Sequence, residues 1–263
     1  MTTGKGKELL EELRWRGLVA QTTDEKALIE QLDKPTTVYL GIDPTAPSIH
    51  CGNLVVLLVL KRMQQFGHTP IALVGGSTGL VGDPSGKSEE RSFNDEEVIK
   101  EWVERIRKQV SKFLDFDAKG NGAIAVNNYD WTKEYSALRL LREIGKHFSV
   151  NQMLSKDSVQ SRIEANGISY TEFSYQVLQG LDYLELYRRH NCTLQIGGSD
   201  QWGNIVAGLD LIRKVEGGSA HCLTSPLLVK SDGSKFGKTA SGTVWLDPEM
   251  TSPYAFFQYW INT

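Results

Sequence analysis

Apolar positions along the chain change their spacing from stretch to stretch, and the changes mark out elements. Leu9, Leu10 and Leu13 recur at helical spacing among Glu8, Glu11 and Glu12, which predicts a surface helix over 7–17. A second helix is expected over 23–32 with Thr23 as its cap. Thr36, Thr37, Val38, Tyr39, Leu40 and Ile42 form a β-branched and aromatic run that reads as a buried strand. A turn with Asp43, Pro44, Pro47 and Ser48 follows, and the unbroken apolar run from Leu54 to Leu60 lies in the next helix. Residues 69–74 read as another strand. Residues 95–113 read as a helix, with Val98, Trp102, Val103, Ile106, Val110 and Phe113 at helical spacing. After a linker over 115–121 and a short strand over 124–126, residues 135–189 are mostly helical, broken near Gly145 and at Asn166-Gly167. Residues 193–196 form a short strand leading into a helix that runs through Lys214, and 223–229 are the last strand candidate. A length of 263 residues accommodates one large α/β domain, or one domain with an inserted subdomain, here the helical stretch.

Candidate chemistry gathers where strands end. A strand, a tight turn and a helix N-terminus present unpaired N–H groups and the positive end of a helix dipole to one point, which suits phosphate. His50, Gly52 and Asn53 lie there: Gly52 admits a close ligand, and His50 and Asn53 offer hydrogen bonds. The alternative for His50 is a plain helix cap. The stretch GGSTGLVGDPSGKSEER, with five glycines from Gly75 to Gly86, reads as a loop. Gly86-Lys87-Ser88 is not a P-loop, because Val81 stands where that motif needs glycine, and no G-x-G-x-x-G occurs. Asp83, Lys87 and Arg91 on this loop either close over a polyanion or stay solvated. Tyr175, Gln179 and Asp182 share one helix face between apolar flanks, which suits a pocket wall or, more blandly, a solvated stripe. Gly197 and Gly198 at a strand end, followed by Asp200, allow a ribose to lie against backbone with its hydroxyls on the carboxylate. Lys235 and Lys238 sit on a Gly- and Ser-rich loop.

Composition narrows the function classes. A net charge of −3 and a pI near 6.0 exclude a broadly basic nucleic-acid coat, so any RNA contact is local. Cys51, Cys192 and Cys222 are far apart, with no C-x-x-C, which argues against structural zinc and a disulfide framework and for a reducing compartment. The longest apolar run is far short of the ~20 residues of a membrane span. The acidic N-terminal helix makes a poor secretory signal or mitochondrial presequence. Apolar surface around His147, Phe148, Val150 and Met153 is a candidate subunit contact.

Three ordered stretches now stand together: SIHCGN at 48–53, QIGGSDQWGN at 195–204 and KFGKT at 235–239, with GDPSGK and NNYDW between them. In that order they closely resemble the bacterial and organellar tyrosyl-tRNA synthetases, from about Leu9 to Thr263. The first is similar to that family's HIGH signature and the last to its KMSKS loop. Asn53 stands for the second His, Cys51 for an aliphatic residue and Gly237 for a serine. The resemblance implies a class I synthetase nucleotide-binding, Rossmann-like α/β fold: a parallel sheet with helices on both faces and an inserted helical dimerisation segment. It divides a single catalytic domain, 1–263, into N-terminal helices (1–35), a first half of the fold (36–130), the helical insertion with the pocket helix (131–190) and a second half (191–263). The anticodon-binding and small RNA-binding domains of the family are absent from this sequence.

The resemblance also implies an activity: tyrosine activation with ATP to tyrosyl-adenylate and pyrophosphate, then transfer to the 3′ end of tRNA-Tyr, with transfer impaired in a chain of this length. His50, Asn53 and Thr45 would contact the triphosphate, and Lys87, Arg91, Lys235, Lys238 and Thr239 would grip pyrophosphate. Mg²⁺ would travel with ATP, with no protein-bound metal. Gly41, Asp43, Gly198, Asp200, Leu227 and Leu228 would hold the adenosine side. Tyr39 and Asp182 would meet the tyrosine hydroxyl; Asp83, Tyr175 and Gln179 its ammonium; Gln201 its carboxylate. Trp202, Arg213 and Lys214 would touch tRNA. The implied partners are L-tyrosine, ATP, tRNA-Tyr and a second copy of the chain, with no membrane, in the cytoplasm or alternatively the mitochondrial matrix. Rival readings are a tryptophan enzyme of the same fold, an RNA-binding or splicing protein on that fold, and a nucleotidyltransferase making another adenylate.

Overall fold

The computed structural model describes residues 4–85, 94–229 and 243–262. Six strands form one sheet in the order β1-β6-β5-β2-β3-β4. They are β1 (Gln21–Thr22), β2 (Thr37–Ile42), β3 (Thr69–Val74), β4 (Ile124–Asn127), β5 (Cys192–Gly198) and β6 (His221–Ser225). All neighbours are parallel except β1, which pairs antiparallel with β6 at the edge. The chain builds β2, β3 and β4 toward one edge, then returns to lay β5 on the other side of β2. That reversal opens a crevice beyond the carboxyl ends of β2 and β5, the usual place for a ligand in such sheets.

Helices cover both faces. On one side α1 (Lys5–Trp15), α2 (Glu25–Leu32), α3 (Cys51–Gln65) and α5 (Glu96–Val110) pack on Val38, Leu40 and Ile42 of β2. On the other, α10 (Tyr170–His190) and α11 (Trp202–Glu216) pack on Tyr39, Ile71 and Leu73. The period of two along a strand explains this division. At β5 the register shifts: Thr37 faces Cys192 and Val38 faces Leu194, leaving Thr193 as a bulge. The shift sets Cys192 on the Tyr39 side and Leu194 and Ile196 on the opposite one. Between β4 and β5 run short helical pieces, α6 (Tyr129–Thr132), α7 (Ala137–Arg139), a π turn (Leu140–Ile144), α8 (Val150–Leu154) and α9 (Asp157–Ala165).

Several boundaries differ from the sequence reading for identifiable reasons. Asp24, not Thr23, caps α2, its side chain accepting from the Ala27 N–H; Thr23 instead accepts from the Cys222 N–H and so ties the edge strand β1 to β6. The glycine-rich stretch read as pure loop contains the turn α4 (Thr78–Val81), because side chains of Asn127 and Asn128 accept from the N–H groups of Gly76 and Ser77. The last strand ends at Ser225 rather than Val229, since Pro226 has no N–H to continue the ladder. Its departure from the sheet brings Leu227 and Leu228 into the crevice. Among the described residues no helix is long and apolar enough to cross a membrane, and α12 (Pro253–Ile261) exposes Tyr254, Phe257 and Ile261.

Candidate active site

A cleft of about 350 Å³ opens at the switch point between β2 and β5. All the described candidates for amino acid and nucleotide line it: Tyr39, Gly41, Asp43, Thr45, His50 and Asn53 from β2, its turn and α3; Asp83 from the glycine-rich segment; Tyr175, Gln179 and Asp182 from α10; Gly198, Asp200, Gln201, Leu227 and Leu228 from around β5 and β6. Lys87, Arg91, Lys235, Lys238 and Thr239 lie outside the described residues. Trp202, Arg213 and Lys214 are not in the cleft wall; they lie on α11, which leads away from it.

Asp182 forms the buried end. It is 3 % exposed, and its carboxylate accepts from the Asn128 amide (2.9 Å) and the Trp131 indole N–H (2.9 Å). Burial pushes this carboxyl up to about 7, partly opposed by those two donors, with Asp43 and Glu185 raising it further. The Tyr39 hydroxyl lies in the same wall, 1 % exposed and without a protein partner. Its phenol is pushed up by burial and then by the Asp182 charge, so it stays protonated and can donate. The ring of Tyr39 packs edge-on against Tyr183 (5.1 Å), whose own hydroxyl donates to the His221 carbonyl of β6 (2.8 Å). The Gln179 and Gln195 side-chain oxygens are also buried without partners. A closed end with a carboxylate, an unpaired hydroxyl and unpaired amide oxygens is built for a polar ligand, because each orphaned group otherwise costs about 1–3 kcal/mol.

Toward the middle, acids gather. Asp43 accepts from the Tyr175 hydroxyl (2.7 Å) and the Thr78 hydroxyl (2.6 Å), and Asp83 accepts from the Gln201 amide (2.6 Å) and the Ser85 N–H (2.9 Å). Burial pushes the Tyr175 phenol well up, with Asp43, Asp83 and Asp182 all adding to it. Three carboxylates around one buried ring make a site that favours a cation. Nearby, Lys156 donates to the Gly203 carbonyl (2.5 Å), and burial pushes its ammonium down to about 8 against the attraction of Asp83.

At the open end, His50 lines the cleft. It caps α3: its Nδ1 accepts from the N–H groups of Gly52 (3.0 Å) and Asn53 (3.4 Å), while Asn53 Oδ1 accepts from the His50 N–H (3.1 Å). The cap reading of His50 is thus borne out. A neutral ring whose Nδ1 accepts carries its proton on Nε2, so the cap fixes the tautomer. Residues 244–246 strap this corner: Cys51 N–H donates to the Val244 carbonyl, Leu246 N–H to Ile49, and Trp245 stands edge-on to His50 at 5.9 Å.

Sequence reasoning left Asn128, Trp131, Thr78 and Gln195 without roles. Gln195 carried a signal, a polar residue within an apolar strand. Asn128 and Trp131 belong to the NNYDW stretch noted above, but nothing in its spacing shows that it folds back onto α10.

This arrangement, a switch-point cleft with an acid-lined pocket beside a capped helix N-terminus, coincides with a family match. Residues 31–263 match the model of the tRNA synthetases class I (W and Y). The chain belongs to that family. Among its relatives, the tyrosine–tRNA ligase of Acidothermus cellulolyticus is 59 % identical over 259 residues, covering 97 % of this chain and 61 % of the relative. That of Bacillus caldotenax is 60 % identical over 258 residues, with the same 97 % and 61 % covered. The chain thus spans under two thirds of the length of these synthetases. The crystal structure of a C-terminally truncated Aspergillus nidulans mitochondrial tyrosyl-tRNA synthetase superimposes with a TM-score of 0.86 at 28 % identity, over 97 % of this chain and 76 % of that one. A tyrosyl-tRNA synthetase from Archaeoglobus fulgidus, solved with L-tyrosine, shares the fold at a TM-score of 0.67 and 18 % identity, over 92 % of this chain and 72 % of that one.

Proposed function

We propose that this synthetase-family chain activates L-tyrosine with ATP, giving tyrosyl-adenylate and pyrophosphate, and presents the activated tyrosine to the 3′ end of tRNA-Tyr. The observation that carries the reading is the pair at the buried end of the cleft, the Asp182 carboxylate and the unpartnered Tyr39 hydroxyl. A phenol donates one hydrogen bond and accepts one, which matches an acceptor and a donor side by side. An indole N–H only donates and would leave Tyr39 orphaned, so tryptophan fits less well.

Adenylate formation needs no protein nucleophile. The substrate carboxylate attacks the α-phosphorus, the bond to the bridging oxygen breaks, and pyrophosphate leaves with the electron pair. The protein positions the reactants and offsets charge. Asp83, Tyr175 and Gln179 receive the ammonium, which leaves the carboxylate directed toward the nucleotide beside Gln201. His50 Nε2–H meets a phosphate oxygen at the positive end of the α3 dipole, with Thr45 beside it. The N–H groups of Cys51, Gly52 and Asn53, expected from sequence to be unpaired, are already taken by Val244 and His50. Leu227 and Leu228 pack on the adenine, and Gly198 lets the ribose approach Asp200; a Cβ at Gly198 would stand 2.6 Å from an Asp200 oxygen. The basic residues 87, 91, 235 and 238 are assigned to pyrophosphate on the family resemblance. Mg²⁺ enters as the ATP complex; among the described residues no group of three or more His, Cys, Asp or Glu could hold it.

For the tRNA acceptor end, Trp202 begins α11 and Arg213 and Lys214 lie in its last turn, about 16 Å further along the axis. Both cations are paired with Asp210, at 2.5 Å and 2.6 Å, so a phosphate must compete with that carboxylate. Subunit pairing through the helical insertion is part of this reading; Leu138, Leu141 and Val150 are exposed there.

The test is pyrophosphate exchange into ATP with each amino acid in turn. Tyrosine-dependent exchange is expected, with phenylalanine and tryptophan weaker by orders of magnitude. Exchange driven equally by all three would overturn the reading.

A further inference from the structure

Thr78 has no role in the chemistry just described, yet it lines the cleft, is 2 % exposed, and sits between the two halves of the site. Its hydroxyl donates to Asp43 (2.6 Å) and accepts from the Asn128 amide (3.0 Å). The same amide nitrogen donates to Asp182 (2.9 Å), and the Asn128 oxygen accepts from the Ser77 N–H (2.8 Å). Every polar atom of the fully buried Asn128 side chain is thereby used in one orientation. A half-turn of the amide would set its oxygen against a carboxylate and its NH₂ against an N–H. Because the Thr78 oxygen accepts from Asn128, its own proton is committed to Asp43. The donors therefore run one way, Asn128 to Thr78 to Asp43, in a buried chain whose members polarise one another. Gly75 closes the chain off: a Cβ there would stand 2.2 Å from both Thr78 Oγ1 and Asp43 Oδ1.

We infer that Thr78 is a positioning residue that couples the two substrates, joining Asp182 at the amino-acid end to Asp43 below the nucleotide side. The inference rests on tyrosine being the ligand at Asp182. A phenol donating to Asp182 offsets part of its charge, which changes how strongly Asn128 is drawn toward that carboxylate and, through Thr78, how Asp43 is held. Asp43 also fixes the Tyr175 hydroxyl, so the ammonium and nucleotide sides respond together. By reciprocity, nucleotide must then tighten tyrosine by the factor by which tyrosine tightens nucleotide.

The experiment measures the tyrosine Kd by calorimetry with and without saturating α,β-methylene-ATP, which cannot react. The wild type is expected to bind tyrosine about 5-fold or more tightly with the analogue, the lower end of coupling between sites. Thr78→Val should bring that ratio close to one while tyrosine still binds, and Thr78→Ser should restore it. Gly75→Ala, which forces the two oxygens apart without removing either, provides a second route to the same loss. A wild-type ratio of one, or an unchanged ratio in folded Thr78→Val or Gly75→Ala, overturns the relay. Failure of the wild type to bind tyrosine at all would overturn the substrate reading and the relay with it, whereas tyrosine binding without coupling overturns the relay alone.

Discussion

Asp182 shows how much one side chain can be asked to do when its surroundings are fixed. Two donors hold its oxygens, yet burial keeps its proton affinity high, so it changes charge near neutral pH in the empty cleft. Asp182→Asn keeps the shape but removes the charge and replaces one acceptor oxygen with an NH₂ that only donates. Phenylalanine leaves the remaining acceptor capacity of the wild-type carboxylate and the Tyr39 hydroxyl unused, a penalty the variant no longer pays in full. The ratio of tyrosine to phenylalanine exchange rates should fall by about 10-fold or more, since one buried polar group left unpaired is worth about 1–3 kcal/mol. An unchanged ratio would remove Asp182 from the phenol's neighbourhood. A site built to hydrogen-bond a substrate hydroxyl rejects the analogue that lacks it, because the site's own polar groups are then left unpaired. At the same scale His50 separates two functions. His50→Asn keeps a side-chain acceptor for the cap, so the urea midpoint should hold while exchange slows; His50→Ala should lose exchange and also about 1 kcal/mol of stability.

At the scale of elements, the site depends on where α10 begins, ends and points. Ser169 caps its start by accepting from the Glu172 N–H, and Asn191 ends it in the left-handed region at φ 50°. Asn191→Gly should raise stability, by a few tenths to about 1 kcal/mol, read as a higher urea midpoint with unchanged exchange activity. The helix was legible from sequence, and so was the shared face of Tyr175, Gln179 and Asp182. Which way that face points was not, because a polar stripe between apolar flanks is equally consistent with solvent until the partner elements are placed. The strand–turn–helix at 36–65 was legible because β-branched spacing, prolines and an apolar run all agree there. The edge strand β1 was not, since two residues carry no periodicity and its pairing with β6, Gln21 opposite Thr224, spans roughly three quarters of the chain. Asn128 and Thr78 escaped for the same reason: their partners are 35 to 54 residues away.

Over the whole molecule, two buried groups tilt stability against pH in opposite senses. Asp182 has a folded pKa raised from 3.8 to about 7, so its contribution is full below the unfolded value and is lost as pH rises through 7. His68, buried with Nδ1 accepting from the Thr36 N–H, is pushed down to about 4. Its contribution is present above 6.5 and is lost as pH falls toward 4. The two offset each other between about pH 4 and 6.5, so the empty protein should weaken most visibly from there to about pH 7.5. Asp182→Asn should remove that upper decline and unmask the His68 limb, a fall in stability as pH drops from 6.5 toward 4. Urea unfolding of both proteins at half-unit steps from pH 4 to 8 checks it, and parallel curves would show that the decline has another source.

The bulge in β5 has a consequence for how this chain can vary in length. That strand holds one residue more than β2 requires, and Thr193 is the surplus. Deleting Thr193 would leave its neighbours on their present sides of the sheet, like dropping a silent letter. Deleting Gln195 instead would let the ladder absorb the loss by straightening, and Leu194 would then slide into the place opposite Tyr39. One omission is a spelling variant; the other, two positions away, puts oil where the ligand expects an amide.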